Sequence, residues 1–383
     1  MGIRPGAMEG LGLMDGAAAA FGGCYHGRRV LVTGHTGFKG SWLAMWLHAL
    51  GAQVQGLALP ADTEPNHAAL LGLGGLLADE ALVDLRDAAA VRQALQRFEP
   101  EIVFHLAAQP LVRRSYREPE PTFATNVMGL VHLLEAVRAT PSVRAVLNAT
   151  TDKCYLNRHT SRGYREDDAL GGHDPYSASK ACAEIVSASY RASFLAGDDG
   201  RGHAVALATA RAGNVIGGGD WSEDRLLPDL MRAAQSGRET VLRHPQATRP
   251  WQHVLEPLSG YLLLGQRLLA DPLAASEAWN FGPDEAGHLS VGAIVERCAQ
   301  LWPAVRHRID AGPQPHEAAL LHLDCGKARE RLGWRPVWDA DTMLARTVQW
   351  YRLQHERGRL ASRDDLQRYL QDARAQGLAW AQG

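Results

Sequence analysis

The sequence predicts an α/β protein: a doubly wound parallel sheet joined to a smaller, mostly C-terminal substrate-binding region. Three observations carry this. Short β-branched and apolar runs alternate with helical periodicity from residue 29 to about residue 211, as in a parallel sheet covered on both faces. A glycine-rich segment lies between the first such run and the first helix. Beyond Arg211 the alternation gives way to irregular sequence rich in Gly, Pro and Trp.

Taken in order, Arg29-Val30-Leu31-Val32-Thr33 is a strand running into Gly34-His35-Thr36-Gly37-Phe38-Lys39-Gly40. The next helix, to about Leu50, carries Trp42, Leu43, Trp46 and Leu47 on one face. Gly51 stops it, and residues 53–58 make the second strand. Further strands are expected at residues 81–84, 102–106, 143–147 and 205–209, with helices near 88–97, 122–139 and from Tyr176. Later helices are expected near 226–236, 254–269 and 291–301. This divides the chain into a disordered or over-long tail (1–26), a cofactor-binding domain (27–210) and a substrate-binding region (211–383).

At 383 residues the chain exceeds the usual single-core size. A net charge of −2 offers no basic field for nucleic acid and no polybasic membrane patch. No apolar run approaches the ~18 residues of a membrane span. The five cysteines (24, 154, 182, 298 and 325) are odd in number and never spaced C-x-x-C. That fits reduced thiols in a cytoplasm rather than disulfides or zinc. The start lacks a basic stretch followed by an apolar one, so no signal peptide is expected. Gly6 stands where myristoylation requires Ser or Thr. His35 and His105 have no spaced partner, so no metal site is expected.

Gly34, Gly37 and Gly40 allow close backbone approach, and the helix they open presents free N–H groups and a positive dipole end to a pyrophosphate. Thr36, Phe38 and Lys39 lie within the same loop. After the second strand, Asp62 is the candidate for the adenosine ribose. No Arg follows that strand directly to hold a 2′-phosphate, which favours NAD over NADP. Asp84 and Leu85 are placed to clamp the adenine, and Leu106, Ala107 and Ala108 to pass beneath the cofactor.

The strand of residues 143–147 ends in Thr150, Thr151, Asp152 and Lys153, and carboxyl ends of strands are where such sheets bind ligands. Tyr176 and Lys180 stand one helical turn apart on one face. A free tyrosine titrates near ~10; an ammonium and an oxidised nicotinamide nearby would lower that. Lys180 can also bond the nicotinamide ribose. Among cations for substrate phosphates, Arg249 is favoured because Pro250 restricts its backbone; Arg225, Arg211 and Lys327 are weaker candidates. Trp221 and Trp251 are equally suited to a pocket wall or to the core.

The glycine loop, Asn126 in T-N-V-M-G and Tyr176-x-x-x-Lys180 resemble the extended short-chain dehydrogenase/reductases that act on nucleotide sugars. More narrowly, residues 32–42 (V-T-G-H-T-G-F-K-G-S-W), 105–113 (H-L-A-A-Q-P-L-V-R), 151–155 (T-D-K-C-Y), 211–221, 249–261 and 279–283 resemble its CDP-glucose 4,6-dehydratase branch. The resemblance implies a Rossmann-type fold, NAD held through an internal redox cycle, and CDP-glucose as substrate. It implies that Tyr176 deprotonates the 4-hydroxyl, Thr151 holds that oxygen, and Asp152 protonates the departing 6-hydroxyl. Relatives acting on dTDP-glucose carry Thr-Asp-Glu at this strand end; here the third residue is Lys153. It is the carbon-5 base if its pKa is lowered, or an electrostatic anchor beside another base. Gln109, Arg113, Asn214, Arg225, Arg249 and His316 are the implied substrate contacts. A homodimer or dimer of dimers, and a role in making deoxysugars of a surface polysaccharide, follow by analogy.

Two other readings share part of this signature. A nucleotide-sugar epimerase or reductase needs the glycine loop, Tyr176 and Lys180 but no Asp-Lys pair. A non-catalytic cofactor-binding relative would be expected to lose the Tyr or the Lys, and both are present.

Overall fold

Seven strands form one sheet: β1 (Arg29–Thr33), β2 (Gln53–Ala58), β3 (Asp79–Leu82), β4 (Ile102–His105), β5 (Ala145–Ala149), β6 (Ala206–Arg211) and β7 (Ala278–Asn280). They lie in the order β7-β6-β5-β4-β1-β2-β3, every pair parallel. This is a computed structural model, and it describes residues 17–158, 160, 162–195, 203–242, 244–310 and 321–382. Residues of β4, β5 and β6 are buried throughout, which is why these strands read as unbroken apolar runs rather than alternations.

The order reverses between β1 and β4, which opens a crevice beyond their carboxyl ends. Helices α2 (Ala88–Phe98), α3 (Gly129–Arg138) and α4 (Pro175–Ser193) bury Val91, Leu95, Leu130, Leu134 and Ala183 against one face. Helix α1 (Phe38–Ala49) and a later helix, α5 (Leu255–Ala270), cover the other with Trp42, Trp46, Leu258 and Leu262.

Two boundaries differ from the expected ones. The core does not break at residue 210, because β7 comes from beyond it and completes the sheet, and α5 packs on β5 and β6. Residues 17–26 are no loose tail. Phe21 stacks on Trp380 with ring centroids 5.0 Å apart, and the Tyr25 hydroxyl donates to the Leu262 carbonyl at 2.5 Å. Single aromatic plugs on a left-handed turn (Phe21 at φ +55°) hold this segment, so it shows no periodicity.

The helix expected over 122–139 is also interrupted. A π-turn, Ala124–Met128, precedes α3 and turns the Asn126 side chain inward. There it accepts from Gln109 N at 2.8 Å and donates to the Ser179 hydroxyl at 2.9 Å. Among the described residues no His/Cys/Asp/Glu group could hold a metal ion, no helix is long and apolar enough to cross a membrane, and the five cysteines are free.

Candidate active site

The crevice is built first at the end of β1. Thr33 Oγ1 accepts from the backbone N–H of Leu106 and of Ala107, both at 3.1 Å, tying β1 to β4. Gly34 then turns at φ +74°, where a Cβ would stand 2.8 Å from the Ala107 backbone. At Gly40 a Cβ would lie 2.0 Å from the Gly34 carbonyl oxygen. Only glycine fits either place. Gly37 begins α1 without a side-chain cap, so the first-turn N–H groups are available to an anion. Thr36 anchors the loop through the Leu59 carbonyl at 2.8 Å. Such a cradle fits a dinucleotide pyrophosphate.

The adenosine end is less complete. Asp62 is exposed and borders a surface cavity of about 650 Å³ together with Glu64 and Asn66. The Asp84 carboxylate, rather than standing free for an adenine, is gripped by Arg86, which holds it below the usual carboxylate range. Leu85 is buried under Gly129.

At the far side of the crevice, β5 delivers the polar strand end. Thr150 points inward, donating to Glu184 at 2.5 Å. Thr151 donates to Asp152 Oδ1 at 2.9 Å and caps the short turn Asp152–Cys154. Asp152 is 1% exposed. Burial raises its pKa, against the pull of Lys153, Thr151 and Arg249. Lys153, one residue on, is exposed.

Helix α4 starts with Asp174, which accepts from Ser177 N at 2.9 Å, and Pro175 at its first position. This start fixes Tyr176, whose own N–H donates to Ser115 Oγ at 3.1 Å. Its hydroxyl meets Thr151. Burial pushes the Tyr176 hydroxyl up to about 12, opposed by Thr151 and Arg225. The groups that oppose burial at Tyr176 are Thr151 and Arg225, not Lys180 as expected. The Lys180 ammonium donates to the Ala149 carbonyl at 3.1 Å, and burial followed by the nearby Lys39 ammonium brings its pKa down to about 8.

Lys39 does more than lie in the glycine loop. Its ammonium donates to the Tyr261 hydroxyl at 3.0 Å and interacts with both Asp152 and Lys180. Burial and Arg225 lower it to about 8.

Of the expected substrate residues, Asn214, Arg225 and Arg249 converge here. Asn214 sits at φ +49° with its amide 3.4 Å from Asp152 Oδ2. Arg225, paired with Asp220 at 3.0 Å, is close enough to act on Tyr176 and Lys39. Arg249, on the strand Thr248–Pro250, faces Asp152 electrostatically. Arg113 is paired with Asp224 at 2.6 Å and half exposed, at the rim. The Gln109 amide donates to Thr122 and the Leu111 carbonyl and accepts from Leu111 N, so it braces its own loop. His316 lies outside the described residues.

Arg211 is no phosphate donor either; it is buried against Glu184 at 2.9 Å. Lys327 bonds the Ala278 carbonyl and Glu277 at the sheet edge. Trp221 and Trp251 are both core residues. His35 pairs with Glu80 and His105 with Thr33. Sequence reading missed Gly213, whose lack of a side chain makes room for the Asp152 carboxylate, and Ser115 and Glu184. Only Gly213, beside Asn214, carried any local signal.

A family model described as GDP-mannose 4,6 dehydratase matches residues 31–347. A CDP-glucose 4,6-dehydratase from Salmonella typhimurium is 49% identical over 86% of this chain and 91% of its own length. A solved dTDP-glucose 4,6-dehydratase from Streptomyces venezuelae, with NAD bound, is 27% identical at a TM-score of 0.69, covering 86% of this chain and 98% of that one. A UDP-glucose 4-epimerase from Thermotoga maritima, 23% identical, shares the fold at a TM-score of 0.72 over 86% of this chain and 100% of its own. The chain belongs to the GDP-mannose 4,6 dehydratase family, within the extended short-chain dehydrogenases/reductases.

Proposed function

We propose that this protein converts CDP-glucose to CDP-4-keto-6-deoxyglucose, an NAD-dependent elimination of water. The observation that carries it is Asp152, buried and raised toward its protonated form beside Thr151 and Lys153. A nucleotide-sugar 4-epimerase has no use for an acid kept in that state. CDP-glucose is the substrate named for the 49% identical relative, and Lys153 in place of the glutamate of dTDP-glucose enzymes agrees with it.

The glycine cradle of Gly34, Gly37 and Gly40, with Thr36, Phe38 and Lys39, would hold the NAD pyrophosphate, and Lys180 the nicotinamide ribose. When bound, NAD accepts hydride from sugar carbon 4 and returns it to carbon 6. Tyr176 removes the 4-hydroxyl proton, while Thr151 holds the oxygen as its charge changes. A protonated Asp152 withdraws one of the charges that otherwise push Tyr176 up. The 4-keto group acidifies carbon 5. Lys153 takes that proton once the sugar covers and desolvates it, and Asp152 protonates the leaving 6-hydroxyl. Arg249, Arg225 and Asn214 hold the nucleotide end.

Incubation with CDP-, dTDP-, UDP- and GDP-glucose tests this through the base-sensitive absorbance of a 4-keto-6-deoxy product. Turnover of dTDP-glucose but not CDP-glucose would refute the substrate. Solvent deuterium must also enter at carbon 5. We place the enzyme in the cytoplasm, as its five free thiols suit. It assembles as a homodimer or dimer of dimers through the helices flanking α4, where Tyr116, Phe123, Met128 and Ile185 are exposed. Elution as a monomer would count against that assembly.

A further inference from the structure

Beneath the catalytic strand end lies a buried ion pair that takes no part in the reaction above. Glu184 and Arg211 are each 3% exposed and 2.9 Å apart. Glu184 Oε1 accepts from Thr150, and Oε2 accepts from Thr209 at 2.7 Å as well as from Arg211. Arg211 in turn donates to the Tyr155 hydroxyl at 2.7 Å and lies over that ring, 4.8 Å from its centroid. The Tyr155 hydroxyl donates to the Asn280 side-chain oxygen at 2.7 Å. Thr150 immediately precedes Thr151-Asp152-Lys153-Cys154, and Tyr155 immediately follows it. One carboxylate and its guanidinium therefore clamp both flanks of the reactive loop. The same carboxylate stands one turn beyond Lys180 on α4, on the same face.

We propose that Glu184 and Arg211 are positioning residues: together they fix the register of the Thr151–Cys154 loop against α4, and Glu184 sets an anion one helical turn from the Lys180 ammonium. This rests on the roles assigned above to that loop and to Lys180.

Stability alone does not account for the pair. Replacing a buried ion pair by apolar residues of similar volume is often neutral or stabilising, whereas removing one partner leaves a costly unpaired charge. Both oxygens of Glu184 and both arms of Arg211 are engaged, and between them they hold the Thr150 and Tyr155 side chains. Four groups face Lys180. Lys39 opposes its charge, Glu184 favours it, and Cys154 and His105 are driven by burial toward their neutral forms. Glu184 is then the one resident anion among them at working pH.

Two variants of the full-length enzyme test this. Glu184→Gln/Arg211→Met removes both charges at once, so neither is left stranded. Its kcat with CDP-glucose should fall about 30-fold or more, with KM within about threefold of wild type. Its alkaline limb should move down by about one pH unit, because Lys180 has lost its anion. Arg211→Lys keeps the Glu184 charge but cannot reach both Glu184 and Tyr155. It should lower kcat yet leave the alkaline limb in place. If the double variant does not fold, Arg211→Lys carries the test, and an unchanged kcat there overturns the proposal. A folded double variant with wild-type kcat and pH profile also overturns it. Failure of the functional reading looks different: wild type would form no product, or Lys180→Met would remain active.

Discussion

A Cβ on Gly213 would stand 1.9 Å from Oδ2 of Asp152 and 2.1 Å from its Cγ. The acid is held in its dry position by the absence of a side chain across from it. Gly213→Ala must push the carboxylate out, since Thr151 fixes the other oxygen. Misplacing a reacting group by about 1 Å can cost about 100-fold in rate. We expect kcat for the keto product to drop about that much while the melting temperature stays within a few degrees. A variant with wild-type turnover would detach Asp152 from the chemistry.

Lys153 offers a cleaner separation of steps because it is exposed. Its replacement should change stability by no more than about 0.5 kcal/mol. Lys153→Met removes the amine and keeps most of the stem. Reduced-nicotinamide absorbance should still develop in a single turnover, because Tyr176 and Thr151 act at carbon 4 without it. Loss of water should slow roughly 10²–10⁴-fold, the usual worth of a positioned base. Normal product formation would leave Lys153 as an anchor at most.

How much of this could be read from the chain depended on how local each cause was. Gly34, Gly40 and the strand preceding them are legible because turn, strand and helix lie within a dozen or so residues. Tyr176 and Lys180 are legible as a helical pair, but their ionisation is not. A nearby ammonium is expected to lower Tyr176, whereas Lys180 donates to the Ala149 carbonyl and burial dominates both groups. Gln109 reads as a ligand contact because an amide in a loop at the cofactor edge looks available; only folding shows Leu111 and Thr122 consuming it. Gly213 against Asp152, and Arg211 against Glu184, are meetings across the sheet that leave no periodic trace.

Phe21 tests the early segment, which offers no sequence pattern at all. Its ring is 0% exposed, stacked on Trp380 and tilted against Trp46 at 6.0 Å. Truncating a fully buried phenylalanine costs about 3–5 kcal/mol. Phe21→Ala should show that loss in urea unfolding, with KM for CDP-glucose unchanged because Phe21 packs against α1, α5 and Trp380 and touches none of the site residues. A cost under about 1 kcal/mol would mean that the segment is not docked in solution.

Acid stability provides the last test, through His67. It bridges the hydroxyls of Ser41 and Ser362, each at 2.8 Å, and stacks on Trp42 at 5.0 Å. Burial brings its pKa down to about 3, against about 6.5 in an unfolded chain. The unfolded state therefore binds the extra proton, so stability is complete above about pH 6.5 and is lost as pH falls toward 3. The slope is about 1.4 kcal/mol per pH unit from this one group. Other buried groups titrate as well: Glu256 and Asp365, raised by burial to about 7, act with the opposite sign. Comparing wild type with His67→Gln cancels them, because both proteins keep those acids. The variant will be less stable near neutrality, having lost the stack and a good hydroxyl bridge. The gap between the two should then narrow by about 1 kcal/mol between about pH 7 and about pH 5.5. Urea unfolding at the two pH values measures it, and a gap that stays constant would show that His67 is not held neutral in the folded protein.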